Sequence, residues 1–455
     1  IKFFERYKAS EEPNQWQAIC HPYDQHLLVN AGPGAGKTAV LVGRVVHLIR
    51  EQGIQPSDII VLAFNRAVVF EIRKRVRELF RTLGYAAYVK PLRISTFHAF
   101  AMRSLADSGQ APSPDREELL PDFAERLARN PQFRRQVAGN CRTILVDEFQ
   151  DMTDDIYQIL HQVHLGSGAG VMVIGDDDQD ILRWQRRDGS FSEKYFKQFV
   201  NDFGGEGLLK LSLQVNFRSG VEIVNKSQTM ISEIFKRNQH SHRLKNFQLR
   251  SRHEPLKSEV ERIDWRDWDT SQAMEYVRQM CEQRDHNNPG SLAVLCRSNG
   301  EVAQAYSVLA VVVPDLVAHG AVNYLVADLR HVGLWVEYLD AEIKRQNRVL
   351  TDDLKRELIE QFIAQAAIPE MQQPQDSDVR LEDLWDLCTV EQSFAHLSDL
   401  VRFIRDMQLD ELGRLLGGRD GRPQAIVSTI HKVKGLEFDR VIVLPSSESF
   451  PLQRS

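Results

Sequence analysis

The sequence predicts an α/β protein with two parallel sheets in series and helical insertions between sheet elements. Apolar, β-branched runs recur along the chain, and helix-like stretches separate most of them. Runs that are apolar throughout, rather than alternating with polar residues, are typical of parallel strands buried on both faces. The predicted strands cover residues 27–29, 59–63, 144–146, 171–174, 209–213, 292–295, 425–428 and 441–444.

Two regions interrupt this order of strands and helices. Residues 105–140 and 331–420 are helix-rich and carry loop signals such as Gln110–Asp115. The chain has 455 residues, which is too long for one hydrophobic core. We therefore predict a first domain at 1–207 with a small helical insertion, and a second domain at 208–455 with a larger one.

Composition narrows the class of protein. Lys and Arg number 57 against 63 Asp and Glu, so the net charge of −6 gives no global basic field and any nucleic-acid surface must be local. The five cysteines include no C-x-x-C pair, which argues against a zinc site, an iron–sulfur cluster or a disulfide framework and favours a cytoplasmic protein. We find no membrane span or signal peptide, and because no Met stands at residue 1 we expect residues before it.

A glycine-rich turn between the first predicted strand and a helix predicts a phosphate site. The segment reads Ala31-Gly-Pro-Gly-Ala-Gly-Lys37-Thr38. Backbone N–H groups and the positive end of the helix dipole face an anion there, while Lys37 reaches the terminal phosphates and Thr38 ligates Mg²⁺. Ala31 stands where the strict pattern has glycine, so an ordinary turn is the alternative.

Carboxylates follow the strand at 144–146. Asp147 and Glu148 would lie at the carboxyl end of a parallel sheet, where α/β proteins bind ligands. Asp147 is placed to hold Mg²⁺, and Glu148 to take a proton from the attacking water. Further polar groups follow later strands, in the segments Gly175–Trp184, Asn216–Ser219 and Ser428–Phe438.

The order of these motifs resembles the UvrD/Rep-like superfamily 1 DNA helicases from Gln15 to Leu444. The resemblance implies two RecA-like domains with ATP in the cleft between them, Mg²⁺ as cofactor and 3′-to-5′ movement on single-stranded or tailed duplex DNA. It assigns Gln15 to adenine, Gln179 to sensing the γ-phosphate and Arg218 to an arginine finger of the second domain. The implied ATP-binding set is Gln15, Gly32, Gly34, Ala35, Gly36, Lys37, Thr38, Phe217, Gly435 and Glu437, and the catalytic set is Lys37, Asp147, Glu148, Gln179 and Arg218.

The resemblance also implies a DNA track, formed by Phe64, Asn65, Arg66, Thr96, His98, Trp184, Arg297, Thr429 and His431. Aromatic side chains stack on any base, which suits movement that is independent of sequence. Each position has an ordinary alternative: an aromatic such as Phe64 or Phe97 can be core, a histidine can lie on the surface, and Arg218 can form a surface salt bridge.

Several departures leave other functions open. Asp180 replaces a small hydroxyl residue, which places a charge near DNA or near Arg183, and Leu182 replaces an aromatic. Both helical insertions are shorter than the family's accessory subdomains, and the family's last motif does not occur before Ser455, so we expect that motif in residues beyond it. The alternatives are an ATP-gated DNA-binding subunit of a repair or antiviral complex with a nuclease or other partner, and a P-loop metabolic kinase.

Overall fold

The computed structural model describes most of the first 260 residues and separate segments of the remainder. The described residues are 12–84, 91–113, 115, 117–183, 186, 188–205, 207–237, 244–245, 247–253, 260, 276–277, 279–280, 291–298, 301–302, 305, 316–318, 330–366, 385, 388, 394, 396–406, 425–434 and 436–444. All eight predicted strands are confirmed, and the fold class is α/β with parallel sheets.

The first sheet has six parallel strands in the order β3-β2-β4-β5-β1-β6. Their bounds are β1 (His26–Ala31), β2 (Ile59–Ala63), β3 (Arg93–Thr96), β4 (Thr143–Val146), β5 (Gly170–Gly175) and β6 (Leu208–Leu213). Every residue of β2, β4 and β5 is buried, which explains why these runs are apolar throughout. The carboxyl ends of β4, β5 and β1 lie side by side and carry the candidate site.

In the part of the chain that the structure describes, eight helices accompany this sheet: α1 (Pro13–Cys20), α2 (Lys37–Arg50), α3 (Arg66–Thr82), α4 (Phe97–Asp107), α5 (Leu119–Arg129), α6 (Pro131–Ala138), α7 (Asp154–Ser167) and α8 (Glu193–Phe203). Side-chain caps fix several of their starts; Asn130, for example, accepts hydrogen bonds from the N–H groups of residues 132 and 133. A buried arginine joins the first two helices, because Arg44 on α2 donates to four backbone carbonyls at the C-terminal end of α1 and just beyond it.

The helical region predicted at 105–140 is confirmed, and it belongs to the core of the first sheet. Helices α5 and α6 both pack against α7. Phe123 and Phe133 are buried there with their rings 5.9 Å apart, in the same apolar cluster as Phe149 and Phe199. The region is therefore a compact part of the first unit.

A two-stranded parallel sheet follows the first sheet, formed by β7 (Val215–Gly220) and β8 (Arg250–His253), with α9 (Val221–Arg237) between them. The next sheet is a separate four-stranded one of parallel order β10-β11-β9-β12. Its strands are β9 (Leu292–Cys296), β10 (Leu316–Ala318), β11 (Ala425–Thr429) and β12 (Arg440–Val443). The described parts of the helix-rich region 331–420 contain α10 (Arg330–Arg345), α11 (Asp352–Ala366) and α12 (Leu397–Asp406).

The chain divides by its contacts into units Ile1–Glu261 and Arg262–Ser455. The boundary expected between residues 207 and 208 thus lies too early in the chain. The reason is β6, which pairs with β1 over six residues, from His26 with Leu208 to Ala31 with Leu213. An apolar run indicates a buried strand, but it does not say which sheet the strand joins.

Among the described residues, Cys20, Cys141, Cys296 and Cys388 form no disulfide, and Cys281 lies outside the described residues. Across the same part of the chain there is no cluster of three or more His, Cys, Asp or Glu able to hold a metal ion. None of the helices found there is long and apolar enough to cross a membrane.

Candidate functional site

The phosphate loop joins β1 to α2 and depends on its glycines. Gly34 has φ of +68° and Gly36 has φ of +80°, in the left-handed region that favours glycine. At Gly32 the reason is space, because a Cβ there would lie 1.9 Å from a methyl carbon of Leu249. Helix α2 begins at Lys37, so its N-terminus and the positive end of its dipole adjoin the loop, an arrangement that favours an anion there.

Three predicted residues lie around this loop. The Lys37 side chain is only 12% exposed, and its Nζ is 3.8 Å from Oδ2 of Asp176. Thr38 is half-buried in the first turn of α2. Gln15 is buried on α1 and donates from Nε2 to the carbonyl of Ala35 at 2.9 Å, which connects the predicted adenine-reading helix to the loop.

The two predicted carboxylates follow β4. Asp147 is 1% exposed, and burial together with the neighbouring charge of Glu148 raises the pKa of Asp147 to about 7, while Lys37 opposes that rise. Glu148 has φ of +52°, and among the described residues it is the single non-glycine residue with positive φ. This conformation lets Oδ1 of Asp147 accept a hydrogen bond from the Glu148 N–H at 2.8 Å. Two buried acids beside one lysine form a site suited to a further cation.

Gln150 holds the Glu148 carboxylate in place, and the sequence analysis did not assign it a role. Its side chain is fully buried and donates from Nε2 to Oε2 of Glu148. Its Oε1 accepts the N–H of Asp176 at 2.8 Å. A Cβ at Gly175 would lie 2.8 Å from this oxygen, so the close approach requires glycine.

Asp176 lies at the centre of the site, at the end of β5. Its Oδ2 accepts from Nε2 of Gln179 at 2.9 Å and lies near Lys37, and its Oδ1 contacts Nζ of Lys245. Burial raises the pKa of Asp176, and Lys245 and Lys37 oppose that rise. The position of Asp176 directly after a predicted strand could have identified it, but nothing in the sequence indicates that Lys245, 69 residues later, contacts it.

Strand β7 donates hydrogen bonds to the phosphate loop. Asn216 is buried and donates from Nδ2 to the carbonyl of Pro33 at 2.8 Å, while the Phe217 N–H donates to the carbonyl of Gly34 at 2.9 Å. The next residue is Arg218, which is exposed. Arg218 and Phe217 therefore belong to the first unit rather than to the second domain, because the strand that carries them follows β6 and hydrogen-bonds to the loop.

Part of the predicted DNA track gathers at the carboxyl ends of β2 and β3. These strands are neighbours, with Ala63 opposite Thr96, so Phe64, Asn65, Arg66, Thr96 and His98 come together. Local roles explain some of these residue types: Asn65 caps α3 through the N–H of residue 68, and Thr96 caps α4 through the N–H of residue 99. His98 is exposed, Phe64 is half-buried, and the rings of Phe64 and Phe97 lie 5.4 Å apart. Phe97 is 1% exposed, which confirms its alternative role in the core.

The second unit has a similar arrangement. Arg297 follows β9, and Thr429 and His431 lie at and beyond the end of β11, its neighbour in the sheet. Arg297 and His431 are exposed, whereas Thr429 is buried. Glu437 is exposed before β12. Trp184 and Gly435 lie outside the described residues.

Asp180 pairs with Arg186 instead of facing DNA or Arg183. Nη1 of Arg186 donates to both carboxylate oxygens of Asp180 at 2.9 Å, and both side chains are buried. The Arg183 guanidinium lies 3.9 Å from the ring centre of Phe191. The charge that replaces the usual hydroxyl residue is therefore neutralised within the protein.

These residues fit a nucleoside triphosphate with Mg²⁺. The two positive-φ glycines shape a turn whose backbone can approach phosphate closely, and Lys37 supplies a cation beside it. Thr38 and Asp147 offer one hydroxyl and one carboxylate, and Mg²⁺ in nucleotide sites commonly has one or two carboxylates together with phosphate oxygens and water.

Comparison with known proteins gives the following similarities. Residues 11–113 and 112–203 match the family described as the UvrD/REP helicase N-terminal domain. The chain is 26% identical to DNA helicase II of Escherichia coli over 298 residues, covering 48% of this chain and 39% of that protein. It is 24% identical over 300 residues to the ATP-dependent DNA helicase Rep of the same organism, covering 48% of this chain and 43% of that protein.

A shorter match of 91 residues is 40% identical to the ATP-dependent DNA helicase SRS2 of Saccharomyces cerevisiae, covering 20% of this chain and 8% of that protein. The chain is also similar to the solved structure of the Pif1 helicase from Candida albicans, over 62% of this chain and 50% of that one, at 14% identity and with a TM-score of 0.32. The chain spans about two fifths of the length of DNA helicase II and Rep.

Proposed function

From the match of residues 11–203 to the UvrD/REP helicase N-terminal domain and the similarity to DNA helicase II and Rep, we propose that the protein is a UvrD/Rep-like, ATP-dependent DNA translocase or helicase that moves 3′ to 5′ on single-stranded DNA. The observation that carries the proposal is the cluster at the ends of β1, β4 and β5. The phosphate loop, the Asp147–Glu148 pair and Asp176 with Gln179 meet there. The direction of movement, and the location of ATP between two RecA-like domains, rest on the family resemblance.

In the proposed reaction, Lys37 and the N–H groups of the loop bind the β- and γ-phosphates of ATP. Thr38 and Asp147 would hold Mg²⁺, which neutralises charge on the phosphates when it is bound. Glu148 accepts a proton from the attacking water, and Gln150 keeps its carboxylate oriented. The hydrogen bond to Asp176 orients the Gln179 amide, which would sense the γ-phosphate.

Arg218 would supply positive charge to the transferring phosphoryl group. Its backbone follows the residue that hydrogen-bonds to Gly34, so the side chain starts close to the phosphate loop. An arginine in this role is typically worth about 10³ to 10⁵ in rate, because it meets charge that develops in the transition state. The buried Asn216 positions that arginine by accepting the Arg218 N–H at 2.8 Å.

The DNA track is proposed along the strand ends of each unit. Phe64, Arg66 and His98 in the first unit, and Arg297 and His431 in the second, lie at the carboxyl ends of parallel strands. Their side chains combine rings with positive charge, which suits stacking on bases together with contact to the phosphate backbone. Each base that stacks on an aromatic side chain contributes about 1 to 3 kcal/mol to the free energy of binding, little enough for bases to be bound and released one at a time.

The test is ATP hydrolysis with and without single-stranded DNA, together with displacement of a strand from duplexes with a 3′ or a 5′ tail. DNA-stimulated hydrolysis with displacement from the 3′-tailed duplex alone supports the proposal. Stimulated hydrolysis without displacement supports a translocase that does not unwind duplex DNA, or the ATP-gated binding subunit. The compact α5–α6 insertion is compatible with both, because it leaves little chain to grip duplex DNA. Hydrolysis that DNA does not change would refute both.

A further inference from the structure

Lys245 is a buried cation inside the row of aspartates that follows β5. The Lys245 side chain has no exposed surface, and the side chains of its three acidic neighbours are each at most 2% exposed. Nζ of Lys245 contacts Oδ1 of Asp176, lies 3.0 Å from Oδ2 of Asp178 and lies 3.5 Å from Oδ1 of Asp177. The backbone contributes as well, since the N–H of Lys245 donates to Asp177 at 3.2 Å.

A lysine ammonium group therefore lies near each of the two carboxylate oxygens of Asp176. Lys245 contacts Oδ1, and Lys37 of the phosphate loop lies 3.8 Å from Oδ2, beyond hydrogen-bond distance. A carboxylate with no exposure needs a cation, because burying an unpaired charge is costly. If Lys245 were absent, Lys37 would be the nearest cation left for this carboxylate among the described residues.

We propose that Lys245 is a positioning residue for ATP binding: it neutralises Asp176, so that Lys37 is free to bind phosphate. The inference rests on the proposed ATP site. Phosphate and Asp176 compete for the same ammonium group, and a second lysine on the far oxygen of Asp176 shifts that competition toward phosphate. Lys245 does not touch the nucleotide in this account and acts through Asp176 alone.

The pairing of Lys245 with Asp176 also affects Gln179. Its Nε2 donates to Oδ2 of Asp176, the oxygen nearer to Lys37. When Lys37 turns to the phosphates, Oδ2 keeps its hydrogen bond from Gln179, and Lys245 keeps the carboxylate ionised. Lys245 thereby also maintains the proposed γ-phosphate sensor in position.

A double-mutant cycle on ATP affinity tests the inference, with the dissociation constant of a fluorescent ATP analogue as the readout. In the otherwise unchanged protein, Lys245→Met weakens binding by about 10-fold to 100-fold, the size expected for loss of a buried charged partner. Lys245→Arg keeps the charge and retains most of the affinity. In an Asp176→Asn background, Lys245→Met has little further effect, because the carboxylate that captures Lys37 is gone.

Lys197→Met is the matched control. Lys197 is 65% exposed and pairs with Glu193 one helical turn away on α8, so its replacement leaves ATP affinity unchanged. Equal losses from Lys245→Met in both backgrounds would show a general structural role and overturn the inference. If Lys245→Met does not fold, Asp176→Asn alone decides: tighter ATP binding supports the competition for Lys37, and unchanged or weaker binding contradicts it.

The measurements distinguish refutation of the proposed ATP site from refutation of the proposed role of Lys245. An unchanged protein that binds no ATP would refute the proposed function, and this inference with it. An unchanged protein that binds ATP, with Lys245→Met binding equally well, would overturn only the role of Lys245.

Discussion

A methyl group at Gly34 tests whether β7 rests on the phosphate loop and so brings Arg218 to the phosphates. In Gly34→Ala, the new Cβ would lie 2.7 Å from Nδ2 of Asn216 and 2.9 Å from Cβ of Arg218. These distances are too short for either atom to remain in place. Asn216 would have to move, and it makes three hydrogen bonds, to Pro33, Arg218 and Ser219.

Gly53→Ala supplies the matched control for the size of this effect. Gly53 has φ of +67° against +68° for Gly34, and a Cβ there meets nothing within 4 Å. Both variants therefore carry the backbone cost of a left-handed alanine, about 1 kcal/mol. Only Gly34→Ala also disturbs the Asn216 hydrogen bonds, at about 0.5 to 1.5 kcal/mol each, or about 1.5 to 4.5 kcal/mol together.

Thermal unfolding and ATP hydrolysis provide the assay. Gly53→Ala should lower the midpoint temperature by about 2 to 4 °C, and Gly34→Ala by about 3 to 18 °C more, at about 2 to 4 °C per kcal/mol. Gly34→Ala should also lose ATP hydrolysis, because Arg218 moves with Asn216, whereas Gly53→Ala should keep it. Equal midpoints and equal hydrolysis in the two variants would refute the contact between β7 and the loop.

Two further predictions concern residues that stabilise the fold around the first sheet. Arg44→Met removes the donor of four backbone carbonyls beside α1 and should cost about 3 to 5 kcal/mol, as expected when a buried charge network is broken; an unchanged midpoint temperature would contradict that role. His26 packs against the rings of His164 and Phe203, and burial lowers the pKa of His26 to about 4. Its folded pKa lies below the unfolded value of 6.5, so its contribution to stability is complete above pH 6.5 and is lost as pH falls toward 4. His26→Gln should therefore show a smaller fall in midpoint temperature between pH 7 and pH 5, and an equal fall would count against His26 as the cause.

The long apolar strands are the elements that the sequence predicts best. Each of the eight predicted runs is a strand, because a parallel strand covered on both faces must be apolar throughout. Strands β3, β7, β8 and β10 were not predicted. Strand β7 carries Asn216, Arg218 and Ser219 at positions that serve the phosphate loop, so its composition does not indicate a strand.

The local motifs of the site were predictable, whereas its long-range partners were not. The glycines and Lys37 form one continuous segment whose geometry follows from local backbone rules. Lys245 reaches Asp176 from a segment 69 residues away, and Asn216 reaches Pro33 across 183 residues. Neither contact leaves a periodic or local signal, and the assignment of Arg218 to the second domain was wrong for the same reason.

The central claim is that the cluster around Asp147, Glu148 and the phosphate loop hydrolyses ATP, and Glu148→Gln tests it most directly. ATP binding and turnover are measured on this variant and on the unchanged protein in the presence of single-stranded DNA. Glutamine keeps the size of the side chain and can keep the hydrogen bond with Gln150, but it cannot accept the proton of the attacking water. We expect unchanged ATP affinity with turnover lower by about 10² to 10⁴, whereas near-normal turnover in Glu148→Gln would show that Glu148 is not the base.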